Sequence, residues 1–173
     1  MIKIGDYMKI IKVFAMLFFI FICFYFSGII LFPIKTNDYI QKEIGIDISS
    51  CNIVKDEDTH GGFLGDGTYF LIANCSDNKE NILSQISHWK NFPLTQKLEW
   101  VVYGYEKDGV EIAKHIPESI PRIENGYYYF YDRHDDVKDS FNEEKFFDRA
   151  SYNYTLVLYD KDTNLFYYFE LDT

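Results

Sequence analysis

An uninterrupted apolar run stands out in the hydrophobic pattern near the start of the chain. Residues 13–32 contain no charged side chain and are mainly Phe, Ile and Leu. As a helix, this run rises about 30 Å, the thickness of the hydrocarbon core of a bilayer. The pattern predicts a transmembrane anchor at 13–32, after a cytoplasmic N-terminus (1–12) and before a linker (33–37) and an extracytoplasmic domain (38–173).

The charges that flank this run predict its orientation. Lys3, Lys9 and Lys12 precede it, and this excess of positive charge favours a cytoplasmic N-terminus and an extracellular C-terminal domain at the cell membrane. A cleaved signal peptide is the alternative. Such peptides have a shorter apolar region that ends in small residues. This run is longer, and the small residues near its end are the pair Ser27-Gly28.

After the linker, the pattern changes to short apolar segments separated by polar turns. Residues 48–56 and 68–75 have the pattern of two strands, and the segment between them contains four glycines. Cys51 and Cys75 are equally far from Phe63 at the centre of this segment, so an antiparallel hairpin places the two cysteines opposite each other. An extracytoplasmic compartment permits a disulfide between them, and two unpaired thiols are the alternative.

Capping patterns predict two helices in the first half of the domain. Asn37 or Asp38 caps a short helix that ends at Ile44. Asp77, followed three residues later by Glu80, has the pattern of a capping box and begins a second helix. The apolar face of this second helix is that of a helix lying across a sheet, and it consists of Ile82, Leu83, Ile86 and Trp89.

The second half of the domain has mainly strand-like segments. Turn signals and apolar patterning predict strands at 98–105, 110–113, 127–131, 152–159 and 165–171, and a short helix from Ser140. Most of these strands follow one another directly, which favours antiparallel hairpins. The predicted fold class is therefore α+β, with an N-terminal transmembrane helix followed by an antiparallel sheet packed by one main helix.

Composition and charge restrict the partners of the domain. With 47% hydrophobic and 19% aromatic residues, the chain has enough apolar area for a folded core and is not disordered. The whole chain carries a formal charge of −10 and residues 1–33 carry +2, which leaves −12 for the rest. Such an acidic domain is not suited to nucleic acid and favours a basic or cationic partner.

The sequence contains no catalytic motif of the G-x-S-x-G, H-E-x-x-H or Walker type. The segment from Asp56 begins like a calcium-binding loop, but His60 and Gly67 occupy positions that require oxygen ligands. His134 lies among aspartates and, together with His60, has the chemistry for zinc or manganese, although a solvated acidic turn is the simpler interpretation. No catalytic residue, metal or cofactor is therefore predicted.

The glycine-rich segment 59–67 is the main candidate for a binding site. Glycines lose more backbone entropy on folding than other residues, and a loop that only connects two strands needs fewer of them. His60, Phe63, Leu64 and Asp66 lie among these glycines and are the predicted binding residues. In the alternative interpretation, Phe63 and Leu64 fold back onto the core as a plug.

Tyrosines are concentrated in three of the predicted strands. Because side chains alternate along a strand, some of these rings lie on either face of the sheet. Tyr127 and Tyr129 are candidates for an exposed aromatic platform that binds a protein or a glycan. Packing within the sheet is the alternative, since aromatic residues favour strands generally.

The segment Asp58–Gly67 resembles a segment of small uncharacterised membrane-anchored or secreted proteins of Gram-positive bacteria. The resemblance extends to Trp89–Leu94. It implies a location in the cell envelope and implies no activity, so it assigns no catalytic residue.

These features favour a single-pass, membrane-anchored binding protein that is not an enzyme. Its predicted partners are the membrane, through residues 13–32, and a protein or glycan of the cell envelope. The alternative is an extracytoplasmic hydrolase or metal-dependent enzyme that uses His60 and Asp66 of the glycine-rich segment.

Overall fold

A computed structural model describes residues 11–23, 36–61, 65–107, 110–112, 115–116, 120–134, 137–138, 146 and 149–173. Helix α1 is described over 11–23, where every side chain except that of Ile22 is exposed. Within the described ranges, no helix combines the length and the hydrophobicity needed to cross a membrane. Residues 24–32 of the predicted anchor lie outside those ranges, as does most of the helix predicted from Ser140, so both stay predictions.

Nine strands form two antiparallel sheets within the described ranges, which confirms the predicted α+β class. The smaller sheet pairs β4 (Tyr105–Lys107) with β5 (Val110–Ile112). The larger sheet has seven strands: β1 (Asn52–Asp58), β2 (Gly67–Asn74), β3 (Lys90–Asn91), β6 (Gly126–Asp132), β7 (Val137–Lys138), β8 (Asn153–Asp160) and β9 (Leu165–Asp172).

The order of strands in the larger sheet is β1-β2-β9-β8-β6-β3, with β7 also paired to β6. The two hairpins predicted at 48–75 and 152–171 are confirmed as β1–β2 and β8–β9. These hairpins join through the pairing of β2 with β9, which come from opposite ends of the domain. This order places the C-terminal strands in the middle of the sheet and β1 at an edge.

The central strands bury side chains on both faces of the sheet. Along β8, Tyr154, Leu156 and Leu158 belong to the core on one face, whereas Val157 and Tyr159 belong to the core on the other. The strands β2, β6 and β9 alternate in the same way. A sheet that is apolar on both faces must be covered on both faces.

Helices provide cover on each side of the sheet. Helices α2 (Thr36–Ile44) and α3 (Lys79–Ile86) pack on one face, and α4 (Gln96–Tyr103) packs on the other. The prediction of one main helix is therefore wrong. The two apolar faces of the sheet are the physical reason for the additional helices.

Helix α4 occupies the segment in which a strand was predicted at 98–105. The Thr95 hydroxyl caps it by accepting a hydrogen bond from the backbone N–H of Leu98 at 3.3 Å. Leu98, Val101 and Val102 are buried on one side of this helix. The β-branched valines favour strands intrinsically, but burial of a helical face outweighs that preference here.

Helix α3 is confirmed, but its predicted cap is wrong. Ser76–Asn78 form a 3-10 turn before the helix, and the N-cap residue makes no side-chain hydrogen bond to it. Asp77 therefore lies inside the turn rather than at a cap paired with Glu80. Trp89 lies beyond the end of α3, yet it is 4% exposed and packs into the same core.

Helix α2 begins at Thr36, so Asn37 and Asp38 lie in its first turn instead of capping it. The side-chain oxygen of Asn37 accepts a hydrogen bond from the backbone N–H of Ile48 at 2.8 Å. This bond ties the helix to the segment that leads into β1.

The predicted disulfide is confirmed. Cys51 and Cys75 are bonded, with their Cα atoms 4.4 Å apart, and the bridge closes the open end of the β1–β2 hairpin. A β-bulge between Ile53 and Lys55 then shifts the register of the hairpin by one residue. Bulges bend an edge strand locally, so β1 diverges from a flat edge at this point.

Gly126 lies where β6 and β8 approach each other closely. A Cβ atom at this position would lie 2.0 Å from the carbonyl oxygen of Tyr159. We expect Gly126→Ala to lower the free energy of unfolding by about 1–3 kcal/mol, because the two backbones must move apart. Urea denaturation measures the change. Gly61→Ala is the control, since its Cβ atom would meet no atom of the described residues closer than 3.9 Å, and equal effects of the two substitutions would contradict this reasoning.

Candidate functional site

A cleft of about 410 Å³ opens at the β1 edge of the larger sheet, beside α2. Four segments that are far apart in sequence contribute to it: α2, the end of β1 with the residues after it, β2 and the end of β9. Three carboxylates, one imidazole, one threonine and two tyrosine rings line the cleft: Thr36, Tyr39, Asp56, Asp58, His60, Tyr69 and Asp172.

Strand alternation places the β1 carboxylates in the cleft. Asp56 and Asp58 are two residues apart and pair with Leu71 and Tyr69 of β2, so both lie on the face that α2 covers. The hydroxyl of Thr36, at the start of α2, donates a hydrogen bond to the Asp56 carboxylate at 2.7 Å. Helix α2 is thereby attached to the edge strand beside the cleft.

Two tyrosine rings form the apolar part of the cleft. Tyr39 and Tyr69 meet edge to face with ring centres 5.7 Å apart, and Tyr69 lies 5.5 Å from Tyr168. Burial raises the pKa of both cleft hydroxyls, and the nearby carboxylates of Glu170 and Asp56 raise the pKa of Tyr39 and Tyr69 further. Both hydroxyls therefore stay protonated at neutral pH.

His60 is held between two carboxylates. Its Nδ1 lies 2.6 Å from Oδ1 of Asp58, and its Nε2 lies 3.1 Å from Oδ2 of Asp172. The backbone N–H of His60 also donates to Oδ1 of Asp58 at 2.9 Å. A Cβ atom at Gly67 would lie 2.5 Å from the Cα atom of His60, so the close approach of the two backbones requires glycine there. The imidazole thus connects the glycine-rich segment to β9.

Arg133 holds the carboxylates behind the cleft. Its guanidinium pairs with Glu170 and donates to Oδ1 of Asp172 at 2.6 Å. The Glu170 side chain, only 4% exposed, also accepts hydrogen bonds from the hydroxyls of Tyr39 at 2.7 Å and Tyr168 at 3.1 Å. Burial raises the pKa of the Glu170 carboxyl, although Arg133 and the two hydroxyls oppose the rise. This network fixes Asp172 and Tyr39 in position.

The cleft is suited to a cationic group. Asp56, Asp58 and Asp172 each retain acceptor capacity beyond the hydrogen bonds described above, since an ionised carboxylate offers about four acceptor positions. Tyrosine rings attract ammonium and guanidinium groups through their faces. An anionic ligand would meet three carboxylates on the cleft wall. An amine or a guanidinium is therefore the ligand chemistry that the lining fits.

In the described part of the chain, no group of three or more His, Cys, Asp or Glu side chains is arranged to hold a metal ion. Asp132 forms a bidentate pair with Arg149 at 2.7 Å and 2.6 Å. His134 is exposed, and its backbone N–H donates to Asp132 at 3.2 Å. His60 and His134 are thus engaged in different local structures.

Of the predicted binding residues that the structure describes, His60 alone lines the cleft. Asp66 is exposed, and its carbonyl oxygen accepts a hydrogen bond from the N–H of Gly61 at 3.4 Å. Phe63 and Leu64 lie outside the described ranges, so the choice between a binding pair and a plug stays open.

Tyr127 and Tyr129 belong to the core under α2 and α3 and do not line the cleft. Tyr129 is 7% exposed, and its ring centre lies 5.5 Å from that of Trp89, so its role is packing within the sheet. Tyr127 is half-buried, with the ammonium group of Lys161 5.5 Å from its ring centre.

His115 lies in the core region on the opposite face of the sheet. Its ring centre is 5.2 Å from that of Tyr152, and its Nδ1 is 3.2 Å from the hydroxyl oxygen of Tyr154. Burial lowers the pKa of His115. The unfolded chain therefore takes up this proton more readily than the folded protein, and stability present above about pH 6.5 is lost as the pH falls through the lowered pKa.

Replacing His115 tests this pH dependence. We expect His115→Asn to lose less stability than the natural protein between about pH 7.5 and pH 5, because the titrating group is gone. Urea unfolding at both pH values measures the difference. His88→Asn, at an exposed position, is the matched control. A pH dependence that is the same with and without His115 would contradict the assignment.

No protein-family model matches the chain, and no curated protein or solved structure is significantly similar to it. A function must therefore be inferred from the chemistry of the cleft and of the segments around it.

Proposed function

We propose that the chain is a membrane-anchored binding protein whose external domain binds a basic group of another protein in this cleft. The observation that carries the proposal is the lining of the cleft, in which three carboxylates stand beside two tyrosine rings. Each carboxylate is fixed by a neighbour: Asp56 by Thr36, Asp58 by His60, and Asp172 by Arg133 and His60. Acceptors that are already in position lose little entropy when a cation binds.

Three features support an anchor and an extracytoplasmic domain. The part of the predicted anchor at 13–23 is helical and apolar, and its side chains are mostly exposed, which favours a lipid environment around them. The Cys51–Cys75 disulfide suits an oxidising compartment. The resemblance of Asp58–Gly67 to proteins of the Gram-positive envelope has the same implication.

The surroundings of His60 favour binding over catalysis. A general base needs a ring nitrogen within reach of the proton that it removes, and both nitrogens of His60 face carboxylates instead. Asp66, the partner of His60 in the predicted enzyme, is not among the lining residues.

An extracytoplasmic hydrolase is the second candidate, because a carboxylate beside an imidazole orients the ring in many general-base sites. The observation in its favour is the 3.1 Å contact between Nε2 of His60 and Asp172. Chromogenic ester, phosphodiester and glycoside substrates test it. Hydrolysis by the natural protein that His60→Gln abolishes, with unchanged unfolding behaviour, would establish this candidate in place of the binding protein.

Capture from detergent-solubilised cell envelopes tests the binding function. The full-length natural protein serves as bait beside an Asp56→Asn/Asp58→Asn variant. Glu57→Gln is the matched control, since Glu57 lies on the same strand with its side chain on the other face of the sheet. We expect the double variant to lose most of a partner that the natural protein and the control both retain. Equal capture by all three baits would refute binding through the cleft.

Protease added to intact cells tests the location. We expect digestion of the domain at 38–173 and protection of residues 1–12, because only the former lies outside the cell in this proposal. An antibody against each end of the chain detects the products. Protection of the C-terminal domain until the cells are lysed would overturn the orientation.

A further inference from the structure

We propose that β1 is a docking edge for an extended basic segment of the partner protein, which adds to the sheet as a strand and places a Lys or Arg side chain in the cleft. This inference rests on the proposed binding function and specifies the form of the ligand. It draws on two observations that are independent of each other: the outward backbone groups of β1 and the charge of the cleft beside them.

The backbone of β1 offers hydrogen-bonding groups to a further strand. Among the residues that the structure describes, β1 pairs with β2 alone. The N–H of Thr59 donates to the carbonyl of Thr68 at 2.8 Å, which makes Thr59 a hydrogen-bonded position of the hairpin. Antiparallel pairs alternate between hydrogen-bonded and non-hydrogen-bonded positions, so the N–H and C=O groups of Asp56 and Asp58 point away from β2. An added strand would pair with these groups.

The same two residues direct the side chains of an added strand. Residues directly opposite each other in neighbouring strands lie on the same face of the sheet, with Cβ atoms about 5 Å apart. Asp56 and Asp58 line the cleft, so a residue paired with either of them would also face it. A long basic side chain at that position would reach the carboxylates and the Tyr39 and Tyr69 rings.

Charge selects the class of partner. β1 carries Asp56, Glu57 and Asp58 in succession. A second copy of this chain would place these acids against another acidic strand, and like charges on neighbouring strands repel. A basic segment would instead be attracted. Ile53 and Val54, which are 39% and 60% exposed on the same edge strand, supply apolar area for the partner to cover.

A synthetic peptide tests the inference without knowledge of the natural partner. The probe is a blocked peptide of about six residues with alternating valine and lysine, titrated into the full-length protein in non-ionic detergent. Two matched peptides accompany it, one with acetylated lysines and one with N-methylated backbone amides. We expect the unmodified peptide to bind with an affinity that falls as salt is added, and each modified peptide to bind about tenfold more weakly or not at all.

Substitutions in the protein complete the experiment. The Asp56→Asn/Asp58→Asn variant should bind the unmodified peptide about tenfold more weakly, whereas Glu57→Gln should change the affinity for this peptide less than about twofold. NMR shifts should be largest for the backbone amides of Asp56 and Asp58.

The outcomes separate the inference from the proposed function. Equal binding of the N-methylated peptide would overturn strand addition, although the cleft would still bind a basic group. Equal binding of the acetylated peptide would overturn the basic side chain. If no peptide binds but capture from envelopes still depends on Asp56 and Asp58, the ligand is not an extended segment. The proposed function would then still stand. Self-association through β1, seen as a dimer in sedimentation that Val54→Lys abolishes, would replace the basic partner with a second copy.

Discussion

Replacing Arg133 by Met is expected to destabilise the folded protein by about 3 kcal/mol, because the substitution leaves the Glu170 carboxylate buried without its charged partner. The Arg133 and Glu170 side chains are 17% and 4% exposed, so water replaces little of the lost interaction. The substitution also releases Asp172, which Arg133 holds at 2.6 Å. Urea denaturation gives the change in free energy.

The pH dependence of this effect has a definite sign. Burial already raises the pKa of Glu170, and loss of the arginine raises it further. A carboxyl with a raised pKa in the folded state contributes most stability below its unfolded value of about 4.3 and loses it as the pH rises through the folded pKa. The defect of Arg133→Met should therefore shrink as the pH is lowered from neutral toward about 5.

Two further variants identify the cause of the Arg133 effect. Arg133→Met combined with Glu170→Gln should recover part of the lost stability, because no buried charge is left alone. Arg122→Met is the surface control: its pair with Glu99 is 67% and 38% exposed, and its loss should stay below about 1 kcal/mol. If the Arg122 and Arg133 variants are equally stable, the Arg133 network does not stabilise the fold.

Removal of the disulfide is expected to have a similarly large effect. The bridge joins residues separated by 24 positions, for which the loop-entropy relation gives about 3.5 kcal/mol. The test variant combines Cys51→Ala with Cys75→Ala. Alanine is used instead of serine because Cys75 is fully buried and serine would bury a hydroxyl there. The loss should appear in urea denaturation and, locally, as faster hydrogen exchange along β1.

The third cysteine provides the control for the disulfide. Cys23 is exposed and unbridged, so Cys23→Ser should leave stability unchanged. Reductant should destabilise the natural protein and the Cys23 variant by the same amount, and should leave the Cys51/Cys75 double variant unaffected. Sensitivity of that double variant to reductant would show that another reaction is responsible.

The hairpins and the disulfide could be predicted because their determinants are local. The turn glycines, the flanking apolar segments and the two cysteines of the β1–β2 hairpin all lie within one short stretch of sequence. The same holds for the turn between β8 and β9. By contrast, the apolar pattern of the α4 segment fits a strand and a helix almost equally well. The Thr95 cap and the burial of Leu98 favour the helix.

Only part of the cleft could be predicted, because its residues come together through distant pairings. His60 lies in a glycine-rich segment that is conspicuous in the sequence. Tyr39 and Asp172 join it only when α2 packs on the sheet and β9 pairs with β2, and no local pattern encodes those contacts. Glu170, Asp172 and Arg133 were not among the predicted site residues. Alternation along a strand places Glu170 and Asp172 on one face, and arginine is favoured in buried carboxylate pairs, so this pattern is the signal that could have identified them.

The pairing of β2 with β9 has a consequence for the order of folding. Strands joined by short turns meet quickly, whereas strands from opposite ends of a domain must first close a long loop. We therefore expect β8 and β9 to associate before β2 docks beside them, and the cleft to form in that last step. During synthesis from the N-terminus, the β1–β2 hairpin would have one strand edge exposed until the final residues emerge, a stage at which association with other chains competes with docking. Pulse-labelled hydrogen exchange during refolding should find the amides that bond β8 to β9 protected ahead of those that bond β2 to β9, and simultaneous protection of the two sets would rule out this order.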